Sequence, residues 1–211
     1  MNPIRRNERR SRRQIALNEF WRDQQRSSQF AFIHINKCGG TSVEKALGLP
    51  KVHDTARQRI ERIGWQRWSQ MHSFALVRHP YAKVVSHFNY RVKTNQTGLG
   101  AGNIELNDWI KRAYGDRDPM LYDTPLMFAP CVEWLSLDGA IVVKQVVKLE
   151  NFAAEWSSIC DKIGRSGVAM AHANRTSSNS LDEARGLLDA DSVRILQRCF
   201  AEDFDRFDYR R

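Results

Sequence analysis

No stretch of this 211-residue chain approaches the run of about 18 apolar residues that a membrane-spanning helix needs. The N-terminus also lacks the apolar centre of a secretory signal, and Glu8 comes early for an organellar transit peptide. These absences predict a soluble, cytoplasmic protein. Cysteine is sparse and scattered. Cys38, Cys131, Cys160 and Cys199 form no CxxC pair, so no zinc site is expected and the thiols should be reduced and mostly buried. No internal repeat is visible. The 42% hydrophobic and 10% aromatic shares suffice for one sizeable core and argue against a disordered chain.

Acidic charge is the other shortage. Lysine and arginine number 33 against 24 acidic residues, giving a net charge of +9 and a pI of about 9.7, which points to anionic partners. The excess is uneven. Residues 1–30 hold eight arginines against Glu8, Glu19 and Asp23, so five of the nine net charges lie there. Residues 1–28 are therefore expected to be a basic, flexible, solvated arm, and residues 29–211 the folded domain.

Along that domain, Phe30 to Ile35 (FAFIHI) predicts a strand, followed by the glycine-containing stretch NKCGGTS and helix formers from Val43 to Leu47. A short helix is expected around Thr55 to Ile63. Ser73 to Val77 predicts a second strand that runs into Arg78, His79 and Pro80. Pro80 suits the first turn of a helix, and Val84, Val85, Phe88 and Val92 give that helix an apolar face. Thr94 to Asn103 is expected to be a mobile surface loop. Asn107 to Ala113 and Leu126 to Leu135 read as helices. Ala140 to Leu149 reads as a hairpin or one long strand, and helices follow over Phe152 to Ile163 and Ser192 to Phe200. Ser180 and Glu183 form a capping box. Alternating strands and helices predict an α/β fold, a three-layer sandwich with a mainly parallel sheet.

Two constellations carry chemistry. After the first strand, Lys37, Gly39, Gly40, Thr41 and Ser42 lie just ahead of a helix. Glycines let backbone N–H groups turn inward, the helix N-terminus adds partial positive charge, and Lys37 adds a full one: an anion cradle. It is not the nucleotide-hydrolase loop GxxxxGK[ST], because the lysine precedes the glycines. At the end of the second strand stands Arg78, with Ser86 eight residues on. Ligands of open parallel sheets bind beyond the carboxyl ends of the strands, where both motifs fall. A hydrolase would want an acidic residue for magnesium there; arginine suits a second anionic group without metal.

These segments resemble the sulfotransferase family. FIHINKCGGTSVEKAL is similar to the 5′-phosphosulfate loop of its carbohydrate-sulfotransferase-like branch, commonly FIHIPKTGGTS, and FALVRHPYAKVVSHF is similar to its 3′-phosphate motif. VKLENF, HANRTS and DFDRFDY resemble later family segments, so the likeness spans residues 30 to 209. It implies a P-loop NTPase-like sulfotransferase fold using 3′-phosphoadenosine-5′-phosphosulfate (PAPS, product PAP) as donor. Lys37, Gly39, Gly40, Thr41 and Ser42 would hold the 5′-phosphosulfate, with Lys37 also catalytic, and Arg78 and Ser86 would hold the 3′-phosphate. No metal is implied. The departures are Asn36 for Pro, Cys38 for Thr, His79 for Asn or Asp, and Lys83 where arginine is common. Lys83 puts one cofactor contact in doubt, and Cys38 suggests sensitivity to oxidation.

An acceptor hydroxyl needs a general base, and histidine suits this near neutral pH. His53, in KVHDTARQRI, resembles the K-H-x-T-A segment that contains the base in this branch. His72 is the second candidate. His34 reads as structural, His79 and His87 as packed or exposed, and Glu44 as solvated or cleft-facing. The aromatic residues at 65, 68, 109, 134, 152 and 156 read as core. Cleft walls from residues 94 to 130 are expected to select the acceptor, a hydroxyl-bearing molecule, and the net basicity points toward an anionic saccharide. Two other classes compete: a P-loop nucleotide kinase or hydrolase, which would bind magnesium ATP, and a basic nucleic-acid-binding protein, which would lose binding without residues 1–28.

Overall fold

The computed structural model describes residues 3–170 and 181–211. The HANRTS segment and Ser180 of the expected capping box lie outside the described residues. The chain opens with α1 (Pro3–Arg26), β1 (Phe30–Ile33), α2 (Gly40–Leu47), α3 (Ala56–Ile63), α4 (Trp65–Gln70), β2 (His72–Val77) and α5 (Pro80–Lys93). Next come α6 (Leu106–Ile110), α7 (Pro125–Phe128), α8 (Cys131–Leu135), β3 (Ser136–Leu137), β4 (Ala140–Ile141) and β5 (Gln145–Lys148). The chain closes with α9 (Phe152–Lys162), α10 (Leu181–Gly186), α11 (Ala190–Cys199) and α12 (Ala201–Arg206).

β1, β2 and β5 form a parallel sheet with β2 in the centre, in register Phe30 to His72 and Phe74 to Gln145. Every residue of β1 and all of β2 after His72 are buried, so helices cover both faces and the expected three-layer α/β sandwich results. One core surrounds the sheet and takes in α3, α8 and α9. A second lies between α5, α6, α10, α11 and α12. Because the strands run parallel, β1, β2 and β5 all deliver their carboxyl ends to one edge, which places His34 to Gly39, Arg78 and Glu150 together.

Several expectations meet the structure with changes. The two β-branched clusters of 140–149 divide: Ala140–Ile141 folds back on Ser136–Leu137 as a small antiparallel hairpin, and Gln145–Lys148 becomes the third parallel strand. The helix expected over 126–135 breaks at Pro130, which cannot donate to a helical ladder. Residues 96–101 form tight 3-10 turns around Asn95, Thr97 and Gly98 in the left-handed region.

The basic arm is helical. Residues 3–26 contain no glycine, no proline beyond the opening one, and mostly Arg, Gln, Glu, Ala and Leu, so propensity alone favours a helix. Its last turn joins the body. Arg59 of α3 is fully buried, binds both oxygens of Asp54 at 2.6 and 2.8 Å, and donates to Gln24 Oε1 at 2.7 Å. Gln24 in turn donates to the Phe30 carbonyl, and the Arg59 guanidinium lies against the Phe20 and Trp21 rings. Arg67 closes the junction by donating to the carbonyls of Gln24 and Ser28.

Candidate functional site

The loop between β1 and α2 is shaped by two close approaches. A Cβ on Gly40 would fall 2.2 Å from the His34 ring, and one on Gly39, whose φ is +82°, would fall 2.5 Å from Leu149. Only glycine fits at either position. Lys37 itself sits in the left-handed region at φ 64°. Thr41 is exposed and Ser42 half-buried at the start of α2, and neither hydroxyl bonds to another described residue. Of the first amides of α2, that of Ser42 donates to the Gly39 carbonyl at 3.0 Å, while those of Gly40 and Thr41 bond to no described residue and remain available to a ligand.

Positive charge gathers there, with Glu150 acting on Arg78 from beyond ion-pair distance. Burial, then the charges of Arg78, Lys51 and Lys93, bring the Lys37 ammonium down to about 8. Its Nζ lies 4.3 Å from the centre of the Tyr90 ring on α5. Arg78 is buried, and among the described residues its side chain makes one hydrogen bond, a 3.4 Å contact to the Lys37 carbonyl. Among the described residues, Lys37, Lys51, Arg78 and Lys93 form no ion pair with a carboxylate. Ser86 is half-buried, one helical turn before Tyr90, with a hydroxyl that bonds to no described residue.

His53 stands at the edge of this cluster. Its Nδ1 is 2.9 Å from the His34 carbonyl, and since a carbonyl only accepts, Nδ1 carries the proton and Nε2 keeps its lone pair. Burial, and then the neighbouring His34, lower its pKa, so the ring is neutral near pH 7. The two rings lie 4.3 Å apart. His34 is fixed in turn by a buried 2.6 Å bond to Glu44. Glu44 is thus neither solvated nor in the cleft. Asp54, beside His53 in sequence, is the carboxylate that Arg59 grips, so the segment is anchored on both sides.

His72 opens β2 and bonds Gln145, whereas Arg78 follows the last residue of that strand. Six residues of extended chain, about 20 Å, separate them, so His72 is at the opposite end of the sheet. Lys83 does not face the cations: it is buried and donates to the Ala129 carbonyl at 2.6 Å. His79 caps α5, accepting from the Tyr81 amide and donating to the Arg210 carbonyl, while His87 packs among Trp109, Tyr114 and Phe128. Glu150 of the VKLENF segment accepts from the His79 amide at 3.0 Å and from the Tyr209 hydroxyl, so the C-terminal tail clasps the turn that presents Arg78. Asn36 donates to the Met127 carbonyl, and Cys38 lies 3.9 Å from Cys131, sulfur to sulfur. All four cysteines are free. Of the six aromatic residues singled out from the sequence, only Trp65 is exposed. The burial of Glu44 and Lys83 had no local signal, because each depends on a partner distant in sequence.

The protein is thus an α/β protein whose parallel sheet carries at its carboxyl edge a glycine loop, a lysine and an arginine without an ion-pair partner among the described residues. The chain matches the sulfotransferase family over residues 19–210 and belongs to it, so sulfuryl transfer is its class of reaction. No curated protein and no solved structure matches the chain. Family membership favours sulfuryl transfer over the kinase, hydrolase and nucleic-acid alternatives. Among the described residues, no helix is long and apolar enough to cross a membrane.

Proposed function

We propose that the protein transfers a sulfuryl group from PAPS to a hydroxyl of a carbohydrate acceptor. The observation that carries this is the buried Arg78 beside Lys37. A guanidinium has five N–H donors, and among the described residues Arg78 uses one of them in a single long contact. Burying a cation without an anion is costly, so the donor set fits the phosphates of such a cofactor.

Lys37, with the amides and hydroxyls of Gly39, Gly40, Thr41 and Ser42, holds the 5′-phosphosulfate. Arg78 and Ser86 hold the 3′-phosphate. The donor supplies an activated sulfuryl group with PAP as its leaving group. Lys37 offsets the charge that develops on the departing oxygen, and His53 accepts the proton of the acceptor hydroxyl at Nε2. By analogy with phosphoryl transfer, positioning and electrostatics carry most of the rate enhancement.

Calorimetric titration tests the donor. Metal-free PAP should bind at micromolar concentration, more tightly than magnesium ATP, and Lys37→Ala should weaken it. A preference for magnesium ATP would sink the proposal. For the base, His53→Ala should lower turnover about 100-fold or more with PAP binding unchanged; undiminished turnover would remove His53 from that role.

A further inference from the structure

His53 also lines a cleft of about 470 Å³ between Leu17 and Trp21 of α1 and Lys51, Gln58 and Arg62. That volume lies in the range of small-molecule sites. The cleft is made by α1, residues 51–54 and α3.

Its polar groups are of one kind. The guanidinium of Arg62 lies 3.8 Å from the centre of the Trp21 ring, which orients it. Arg62 and Lys51 have no carboxylate partner among the described residues. Asp54 also borders the cleft, but Arg59 occupies both of its oxygens. Gln58 Oε1 is engaged by the Thr55 amide, so what remains of that side chain toward a ligand is its NH₂ group. Near neutral pH the cleft therefore offers two uncompensated cations and an amide donor beside a neutral imidazole.

We infer that this cleft is the acceptor subsite and that it takes an acceptor carrying its own anionic substituent, held by Arg62 and Lys51. The inference rests on His53 being the base. Lys51 is close enough to Lys37 to act on donor and acceptor alike. Arg62 is not among the charges acting on Lys37, so Arg62 is the residue that separates acceptor recognition from donor recognition. α1 then belongs to the substrate site: Trp21 orients the arginine that reads the acceptor.

The test uses the full chain saturated with PAP and four matched probes: p-nitrophenyl β-glucoside, its 6-sulfate, p-nitrophenyl β-glucuronide and p-nitrophenyl β-glucosaminide. Calorimetry should show one or both anionic probes binding about tenfold more tightly than the glucoside. A tighter glucuronide identifies a carboxylate acceptor, and a tighter 6-sulfate a sulfate ester; either sustains the subsite. Arg62→Gln should bring the probes to parity without changing PAP affinity, and Arg62→Glu should turn the preference toward p-nitrophenyl β-glucosaminide. Equal binding of charged and neutral probes, no glycoside binding, or a preference untouched by Arg62→Gln overturns the inference alone. Failure of PAP itself to bind overturns the donor reading beneath it.

Discussion

Arg59 and Arg78 are both buried, 1% and 6% exposed, yet they live in opposite surroundings. Among the described residues, Arg59 has a bidentate carboxylate, a glutamine oxygen and two aromatic rings, whereas Arg78 has one long bond to a backbone carbonyl. Equal burial therefore conceals two uses of the same side chain. A buried charge that is fully partnered holds elements together, here α1, β1 and the His53 segment. One left without an anion raises the free energy of the ligand-free protein and has that cost relieved when a phosphate arrives.

Substitution by an uncharged residue of similar length should break or sharpen the contrast. The largest effect is expected for Arg59→Met, which strands Asp54 and should lower the free energy of unfolding by about 3–5 kcal/mol, measured by urea denaturation. Arg78→Met should change stability by no more than about 1 kcal/mol and weaken PAP binding about 100-fold. If Arg78→Met destabilises as much as Arg59→Met, Arg78 is structural and the contrast fails.

A smaller effect is expected from pH. Lys37 in the unfolded chain holds its proton to about 10.5, but in the fold only to about 8. Between those values the unfolded state binds more protons, so the ligand-free protein should gain stability as pH rises through that window. A bound phosphate favours the protonated lysine, so PAP affinity should fall over the same window, by at most about tenfold per pH unit. Affinity that stays flat from pH 7 to 10 would show that Lys37 does not hold the ligand, while Lys37→Arg should remove the dependence.

Local pattern carried much of the site. The β1 run followed by Lys37 and two glycines, Arg78 at the end of β2 and Pro80 opening α5 all stand where periodicity and turn chemistry place them. So does the short helix expected around Thr55 to Ile63, which forms as Ala56–Ile63. Strand direction could already have placed His72 far from Arg78, since one begins β2 and the other follows it. Other features depend on contacts across the chain. Glu44 is buried because Gly40 lets the His34 ring lie against α2, and Lys83 is buried because Ala129, 46 residues on, offers a carbonyl. α1 was hidden differently. Its charge suggested a solvated arm, although its composition favours a helix, and Gln24 Oε1 and the Trp21 ring meet Arg59 only when α3 packs against them.

The left-handed backbone at Lys37 bears on the timing of binding. A non-glycine residue in that region costs about 1 kcal/mol or more, and glycine would relieve it at the expense of the cation. The fold accepts this cost when the chain folds, before any ligand is met. The loop can then receive an anion without rearranging, and its selectivity rests on a shape already set.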